Sequence, residues 1–165
     1  APAPGALAMT ALALRAPARA PRRFGMGVDL VALTDVLVEL EHGCGADRFL
    51  DAAIYTALGW EVACVPITRR RVSWPARSPL STVPQALPSP TADLADARRL
   101  VPYRWDWGCG RRDAHPHAWV RAATIREGHD LAVFFEQSRM SEERSLTSAA
   151  LFAHRHIAME GEGDA

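Results

Sequence analysis

The sequence contains no lysine. All 19 basic residues are arginine, and 19 Asp and Glu residues balance them. The formal net charge of zero and the isoelectric point of about 7.2 exclude an overall field that would attract nucleic acid or an anionic membrane. Arginine is the better ligand for phosphate and carboxylate, but we attribute the complete absence of lysine to a GC-rich coding sequence.

Cysteine is also scarce, and its spacing is unsuited to a disulfide framework. The three cysteines are an odd number, lie far apart in the chain and form no C-x-x-C pair: Cys44, Cys64 and Cys109. Small secreted domains carry denser, even sets of cysteines. The pattern therefore predicts reduced thiols and a cytoplasmic protein.

Long apolar runs and catalytic motifs are missing as well. The longest apolar run near the start, residues 5–14, is too short to span a bilayer, so we expect no membrane association. There is no nucleophile elbow, P-loop, H-E-x-x-H motif or glycine-rich phosphate cradle. The sequence therefore predicts a protein that is not an enzyme and has no cofactor.

The composition along the chain predicts three regions. Residues 1–27 contain Ala, Pro and Arg but no acid, and we expect a disordered tail, or upstream sequence ahead of a start at Met26. Residues 28–158 form one α/β sandwich domain, and residues 159–165 form a short acidic tail. The hydrophobic content of 48% is ordinary for a globular protein with a core.

Periodicity predicts a helical hairpin at the start of this domain. Leucines recur every three or four residues over 29–42, and Asp47 opens a second amphipathic helix that ends near residue 58. Residues 60–67, rich in Val and Ile, predict a short strand. The proline-rich residues 68–90 have no helical period, and we expect a long exposed loop there, extended over part of its length.

The second half of the domain predicts a helix, a β-hairpin and a closing helix. Thr91 is a good N-cap for a helix over 93–100, and Pro102 prevents its continuation. Alternation predicts strands over 103–107 and 117–123, joined by a turn over 108–113. Residues 130–136 fit a third strand or a helical turn, and Ser141 caps a helix to about residue 157. The predicted class is α+β, a small antiparallel sheet between helices in α/β/α layers.

This order of segments resembles the phage ABA sandwich domain family over residues 28–158. The resemblance rests on the helix over 30–40, the helix over 90–100, the helix over 145–158 and the short motifs Asp51-Ala52-Ala53-Ile54, Ala57-Leu58-Gly59-Trp60, Leu100-Val101-Pro102, Trp105-Asp106-Trp107 and His117-Ala118-Trp119-Val120. The chain departs from the family pattern at Pro90-Thr91-Ala92-Asp93 and in the extra segment 125–139. The resemblance implies a small phage or prophage protein with a sheet between helices. It implies no established activity and transfers no functional residue.

Cys109, His115 and His117 are the candidate metal ligands. They form a C-x5-H-x-H pattern, and Cys44 or His129 could supply a fourth ligand to zinc. The spacing is not that of a standard finger or ribbon, and the two histidines would equally line a solvated turn. The same stretch offers a carboxylate–imidazole pair for catalysis, from Asp106 or Asp113 with either histidine.

The candidate nucleic-acid-binding residues form the densest basic patch of the chain, Arg69, Arg70, Arg71, Trp74 and Arg77. Arginine grips phosphate and an aromatic ring stacks on a base. The alternative is that these arginines only keep a proline-rich loop solvated. The tryptophans Trp105, Trp107 and Trp119 could form an aromatic cage, but cross-strand packing in the core explains them sufficiently.

Three function hypotheses follow from these patterns. The leading one is a small phage- or prophage-encoded accessory protein in the cytoplasm that acts through contacts with a protein partner rather than by catalysis. The alternatives are a nucleic-acid-associated module using residues 69–77 and a metal-binding domain using Cys109, His115 and His117.

Overall fold

The computed structural model describes residues 27–126 and 129–163. These residues form helices and antiparallel sheets, which confirms the predicted α+β class. The predicted tail over 1–27 lies outside the described residues, apart from Gly27. Within the described ranges, every helix falls short of the length and apolar character that a membrane crossing requires.

The predicted helical hairpin is confirmed. Helices α1 (Leu30–His42) and α2 (Arg48–Ala57) each begin after an aspartate that accepts hydrogen bonds from two free backbone N–H groups of the first turn. For α1 this residue is Asp29, whose Oδ1 lies 3.0 Å from the amides of Val31 and Ala32. Both helices bury their leucine-bearing faces in the same core.

The prediction of a long loop over 68–90 is wrong, because this segment contributes strands to two small sheets. Strands β1 (Glu61–Val62), β4 (Pro75–Arg77) and β5 (Gln85–Ala86) form one sheet in that order. Strands β2 (Val65–Thr68) and β3 (Arg71–Ser73) form a separate antiparallel hairpin. Proline is tolerated here because Pro75 is the first residue of β4 and Pro66 lies beside a register shift in the two-stranded β2–β3 hairpin.

Helix α3 (Leu94–Arg98) is shorter than predicted and has a different N-cap. Oδ1 of Asp93 accepts hydrogen bonds from the amides of Ala95 and Asp96, whereas Thr91 is buried elsewhere. The prediction of Thr91 as the cap was therefore wrong. Aspartate and threonine are both good caps, so the local sequence does not distinguish them. Here the Thr91 hydroxyl is used in a tertiary hydrogen bond, and Asp93 caps the helix.

The main sheet has three antiparallel strands, β6 (Asp106–Arg112), β7 (His115–Arg126) and β8 (His129–Gln137). The predicted hairpin and third strand are confirmed, but the turn and the first strand are displaced. The turn is Asp113–Ala114, with φ of 50° and 66°, so residues 108–112 belong to the strand. Residues 103–105 lie outside it, and Arg104 has a φ of 67°.

Helix α4 (Glu142–Gly163) covers one face of this sheet, which we call the inner face. Ala118 and Val120 of β7 are fully buried on this side, and the Phe135 ring stacks on that of Phe152 in α4 at 6.2 Å. The predicted cap is confirmed, since Ser141 Oγ accepts from an amide of the first turn. The helix runs past residue 157, so the predicted acidic tail over 159–165 is helical as far as Gly163.

The helices of the described residues lie on the inner side of the main sheet, so these residues do not form the predicted α/β/α layers with this sheet between helices. Periodicity locates the helices in the sequence, but long-range packing decides on which side of the sheet they lie. Helix α4 contacts the sheet, and α1 and α3 contact α4. The opposite face, which we call the outer face, carries His117, Trp119 and Arg121 of β7, because alternate residues of a strand point to opposite sides. This division decides which candidate residues can meet.

Candidate functional site

The predicted metal ligands lie on opposite faces of the main sheet. Cys109 pairs across the hairpin with buried Ala118, whereas His117 pairs with Gly110 and His115 with Arg112. Cys109 packs at the inner core, and the two histidines occupy outer-face positions. Within the residues that the structure describes, no group of three His, Cys, Asp or Glu side chains is arranged to hold a metal ion. The structure does not bring the proposed zinc ligands together.

The environment of Cys109 also disfavours a thiolate. Burial raises the pKa of the Cys109 thiol, and the carboxylates of Glu142 and Glu143 raise this pKa further. Zinc binding and nucleophilic attack both require the thiolate form. Cys44, the other proposed ligand, is exposed between α1 and α2, and the side chain of His129 lies outside the described residues.

The proposed carboxylate–imidazole pairs are not formed either. Asp106 pairs with Arg121 at 3.0 Å, and Asp113 lies in the tight turn. The carboxylate beside His117 is Glu136 of β8, with Oε1 at 2.8 Å from Nε2, although the two groups are not aligned as a hydrogen bond. Nothing in the sequence indicated that Glu136 would lie beside His117, because strand register rather than sequence distance brings them together.

Two residues of the basic patch, Trp74 and Arg77, have structural partners elsewhere in the fold. The Trp74 ring meets the Phe49 ring edge to face at 5.1 Å and packs against the core. Arg77 forms an ion pair with Glu61 across the β1–β4 ladder. Trp74 and Arg77 therefore contact other parts of the fold, through Phe49 and Glu61 respectively.

Arg69, Arg70 and Arg71 are exposed on the β2–β3 hairpin. We call residues 65–73 the Arg hairpin: its turn is Arg69-Arg70, and Thr68 pairs with Arg71 across the strands. The strands form a two-stranded sheet of their own, and they also expose Val65, Ile67 and Val72. The sequence from residue 62 to residue 92 contains no acid, so the charge of the hairpin is not neutralised locally.

The expected packing of all three β-strand tryptophans in the core is wrong for Trp119. Trp105 stacks on Phe135 at 6.4 Å on the inner side, and Trp107 pairs with buried Val120. Trp119 pairs with Gly108 on the outer face, where its ring neighbours Phe134. The signal was present in the alternation of residues 117–121, but the sequence did not show which face the helices cover.

A cavity of about 230 Å³ lies between α2, α4 and the loop before β5. Tyr55 and Trp60, in edge contact at 4.6 Å, form its apolar wall, and His154 closes one end. Burial and the Asp96 carboxylate raise the pKa of Tyr55, while burial lowers the pKa of His154. Both groups are therefore neutral at neutral pH, and Nε2 of His154 donates to the carbonyl of Leu100 at 2.8 Å. Tyr55 and His154 are therefore not tuned to act as a general acid and a general base.

Comparison with family models, with curated proteins and with solved structures found no match. The resemblance to the phage ABA sandwich domain family therefore stays a prediction.

Proposed function

We propose that the protein is a nucleic-acid-binding module that acts by binding rather than by catalysis, with the Arg hairpin as its phosphate-contacting element. The observation that carries the proposal is the exposed turn of three consecutive arginines in an acid-free stretch of 31 residues, from 62 to 92. The neutral charge of the whole chain does not oppose this, because binding depends on the local density of basic groups.

The shape of the Arg hairpin supports contact with a phosphate backbone. Arg69 and Arg70 form the turn, and Arg71 follows at the first residue of β3, so three guanidinium groups start from one end of a narrow two-stranded ribbon. Each guanidinium offers planar donors that match phosphate oxygens in a bidentate manner. Neutralising phosphates releases counterions, which makes such binding salt-dependent.

A second candidate is the accessory protein that acts through protein contacts. The exposed apolar side chains on the Arg hairpin, Val65, Ile67 and Val72, are 45–58% exposed and support it. We rank it second because exposed apolar side chains are common on protein surfaces, whereas the same hairpin carries three exposed arginines within an acid-free stretch. A phage or prophage origin and a cytoplasmic location remain predictions under either function.

The test is binding of fluorescently labelled oligonucleotides, measured by anisotropy at about 50 and 200 mM salt. We expect the affinity to depend on salt, and the triple variant Arg69→Gln, Arg70→Gln, Arg71→Gln to lower it by about 100-fold at 0.1 M salt. The slope of log affinity against log salt concentration should decrease in magnitude by about 2, because each lost phosphate contact to a single strand removes roughly 0.7. The matched control, Arg99→Gln, Arg104→Gln, Arg111→Gln, removes equal charge elsewhere. Absence of salt-sensitive binding, or equal losses in both variants, would contradict the proposal.

A further inference from the structure

The Arg hairpin stands apart from the other secondary-structure elements. Among the helices and strands of the described residues, β2 and β3 contact mainly each other, and they form a sheet of their own. Every residue from 63 to 72 is exposed. A two-stranded ribbon by itself is only marginally stable in water. This ribbon therefore leaves both of its faces free for a partner, which would also stabilise it.

The base of the Arg hairpin is fixed to the core. The Ala63 amide donates to the Pro75 carbonyl at 3.0 Å, and beyond this bond Val62 pairs with buried Ala76. Trp74, between β3 and β4, packs against the core. From this base β2 runs for four residues, a length of about 13 Å. The three arginines thus lie at the end of the ribbon opposite its anchored base.

The dimensions of such a ribbon match one groove of duplex DNA. Neighbouring strands lie about 4.8 Å apart, and with its side chains a two-stranded ribbon fits the major groove, which is about 12 Å wide. The minor groove is only about 6 Å wide, and the major groove of double-stranded RNA is too deep and narrow for side chains to read. The turn is also held in shape, because the Arg70 amide donates to the Thr68 hydroxyl at 3.3 Å.

The ribbon exposes aliphatic carbon that contact with phosphates does not explain. Val65, Ile67 and Val72 are 45–58% exposed, and Pro66 pairs with Val72 across the strands. In the major groove thymine presents an apolar methyl group, and guanine presents two acceptors that arginine contacts in a bidentate manner. A ribbon that carries both guanidinium groups and exposed aliphatic carbon offers a partner to each of these base edges.

From this geometry we infer that the Arg hairpin enters the major groove of duplex DNA. Its arginines contact phosphates and guanine edges there, and Ile67 and Val72 contact thymine methyl groups. The inference rests on the proposed function and specifies its ligand as double-stranded DNA. Charge complementarity supports this occupant, because residues 62–92 include arginines and no acid. A purely apolar partner would leave the guanidinium groups without acceptors.

The closing experiment measures the anisotropy of a labelled DNA duplex of about 20 base pairs that contains all four bases, and of the same duplex with uracil in place of every thymine. Uracil lacks only the methyl group, so the phosphates are unchanged. We expect wild type to bind the thymine duplex more tightly, by about 4-fold for each methyl group contacted. The single strand and double-stranded RNA of the same sequence should bind more weakly than either DNA duplex.

A pair of double variants tests the residues of the ribbon. Ile67→Ser, Val72→Ser should bind the thymine and uracil duplexes equally, and it should keep the salt slope of wild type because its arginines are unchanged. The matched control is Leu80→Ser, Val83→Ser, since these two side chains are 82% and 69% exposed and lie outside the ribbon. The control should keep the preference of wild type for the thymine duplex.

The outcomes separate this inference from the proposed function. Equal affinity of wild type for the thymine and uracil duplexes overturns the major-groove contact, and the proposed function then stands if the triple Arg hairpin variant still loses salt-sensitive binding. Equal affinity for the single strand or for double-stranded RNA also overturns the inference. Binding to vesicles of anionic phospholipid that Ile67→Ser, Val72→Ser abolishes assigns the ribbon to a membrane surface instead. Absence of all nucleic-acid binding removes both proposals.

Discussion

Thr91 donates two hydrogen bonds to one oxygen of a buried aspartate 40 positions away. Its amide and its hydroxyl lie 3.1 and 2.8 Å from Oδ1 of Asp51, and both residues are at most 2% exposed. The other oxygen, Oδ2, accepts from Ser89 Oγ at 2.8 Å and from Arg48 at 3.2 Å. These bonds attach the segment before α3 to helix α2.

Replacing Asp51 by Ala should therefore destabilise the protein strongly. The change leaves three neutral donors and the Arg48 guanidinium without the carboxylate that accepts from them. We expect the free energy of unfolding to fall by about 3 kcal/mol, the low end of the usual cost of breaking a buried ion pair, because Arg48 is partly exposed. Denaturant unfolding measures it. Asp35→Ala, an exposed change on α1, is the control and should stay within about 0.5 kcal/mol. Equal effects of the two changes would show that the network contributes little.

Gly108 and Gly110 form a matched pair on the same face of β6, and only the first is covered by an indole. We expect Gly108→Ala to cost about 1–3 kcal/mol, because the Trp119 ring must move off the strand. Gly110→Ala should be neutral or stabilising by about 0.5 kcal/mol, since alanine loses less backbone entropy than glycine. Thermal or denaturant unfolding of both variants checks the pair, and similar losses would contradict the placement of the ring.

The two-residue turn of the β6–β7 hairpin has positive φ at Asp113 and Ala114. Turns of this kind favour glycine at the second central position, and alanine there carries a strain of about 1–2 kcal/mol. We expect Ala114→Gly to stabilise the protein by about 0.5–1 kcal/mol after the entropy cost of glycine. Asp113→Gly should give a smaller gain, because aspartate tolerates this conformation better. The denaturant midpoints of the two variants show whether Ala114→Gly stabilises the protein more than Asp113→Gly.

The three thiols should react at different rates. Cys44 and Cys64 are exposed, whereas Cys109 is packed between the main sheet and α4 and has a raised pKa. We expect two thiols to react quickly with a disulfide reagent in the native protein and the third more slowly, because the thiolate is the reactive form. The Cys109→Ser variant should lose the slow phase alone. Fast reaction of all three thiols would contradict the packing of Cys109.

Stability should fall in mildly acid solution because of His154. Burial lowers its pKa below the unfolded value of about 6.5, so the folded protein binds fewer protons at this site than the unfolded chain. The stability that neutral, buried His154 contributes is fully present above about pH 6.5 and is lost as the pH falls toward the pKa of His154 in the folded protein. Unfolding of wild type and His154→Gln between about pH 5 and 8 tests this. The variant should show a smaller pH slope, and equal slopes would contradict the assignment.

The displaced elements share one physical cause. The sequence over 103–107 alternates like a strand, yet the strand begins at Asp106, because pairing with β7 rather than local alternation sets its ends. Residues 68–90 have the composition of a loop, yet short strands form there through backbone hydrogen bonds that side chains do not encode. In both places tertiary pairing overrides a local preference.

The sequence by itself determined the existence of the helices, the start of α2 after Asp47, the Ser141 cap of α4 and the existence of the β-hairpin, because capping, periodicity and alternation are local properties. The choice of Asp93 over Thr91 as the cap of α3 depended on tertiary contacts. It also determined that three arginines would lie together. Only the tertiary structure decided which strand face the helices cover, and hence that Cys109 is separated from His117 while Trp119 is placed beside Phe134. The physical reason is that register and layer order depend on long-range packing, and a strand offers both of its faces equally until one is buried.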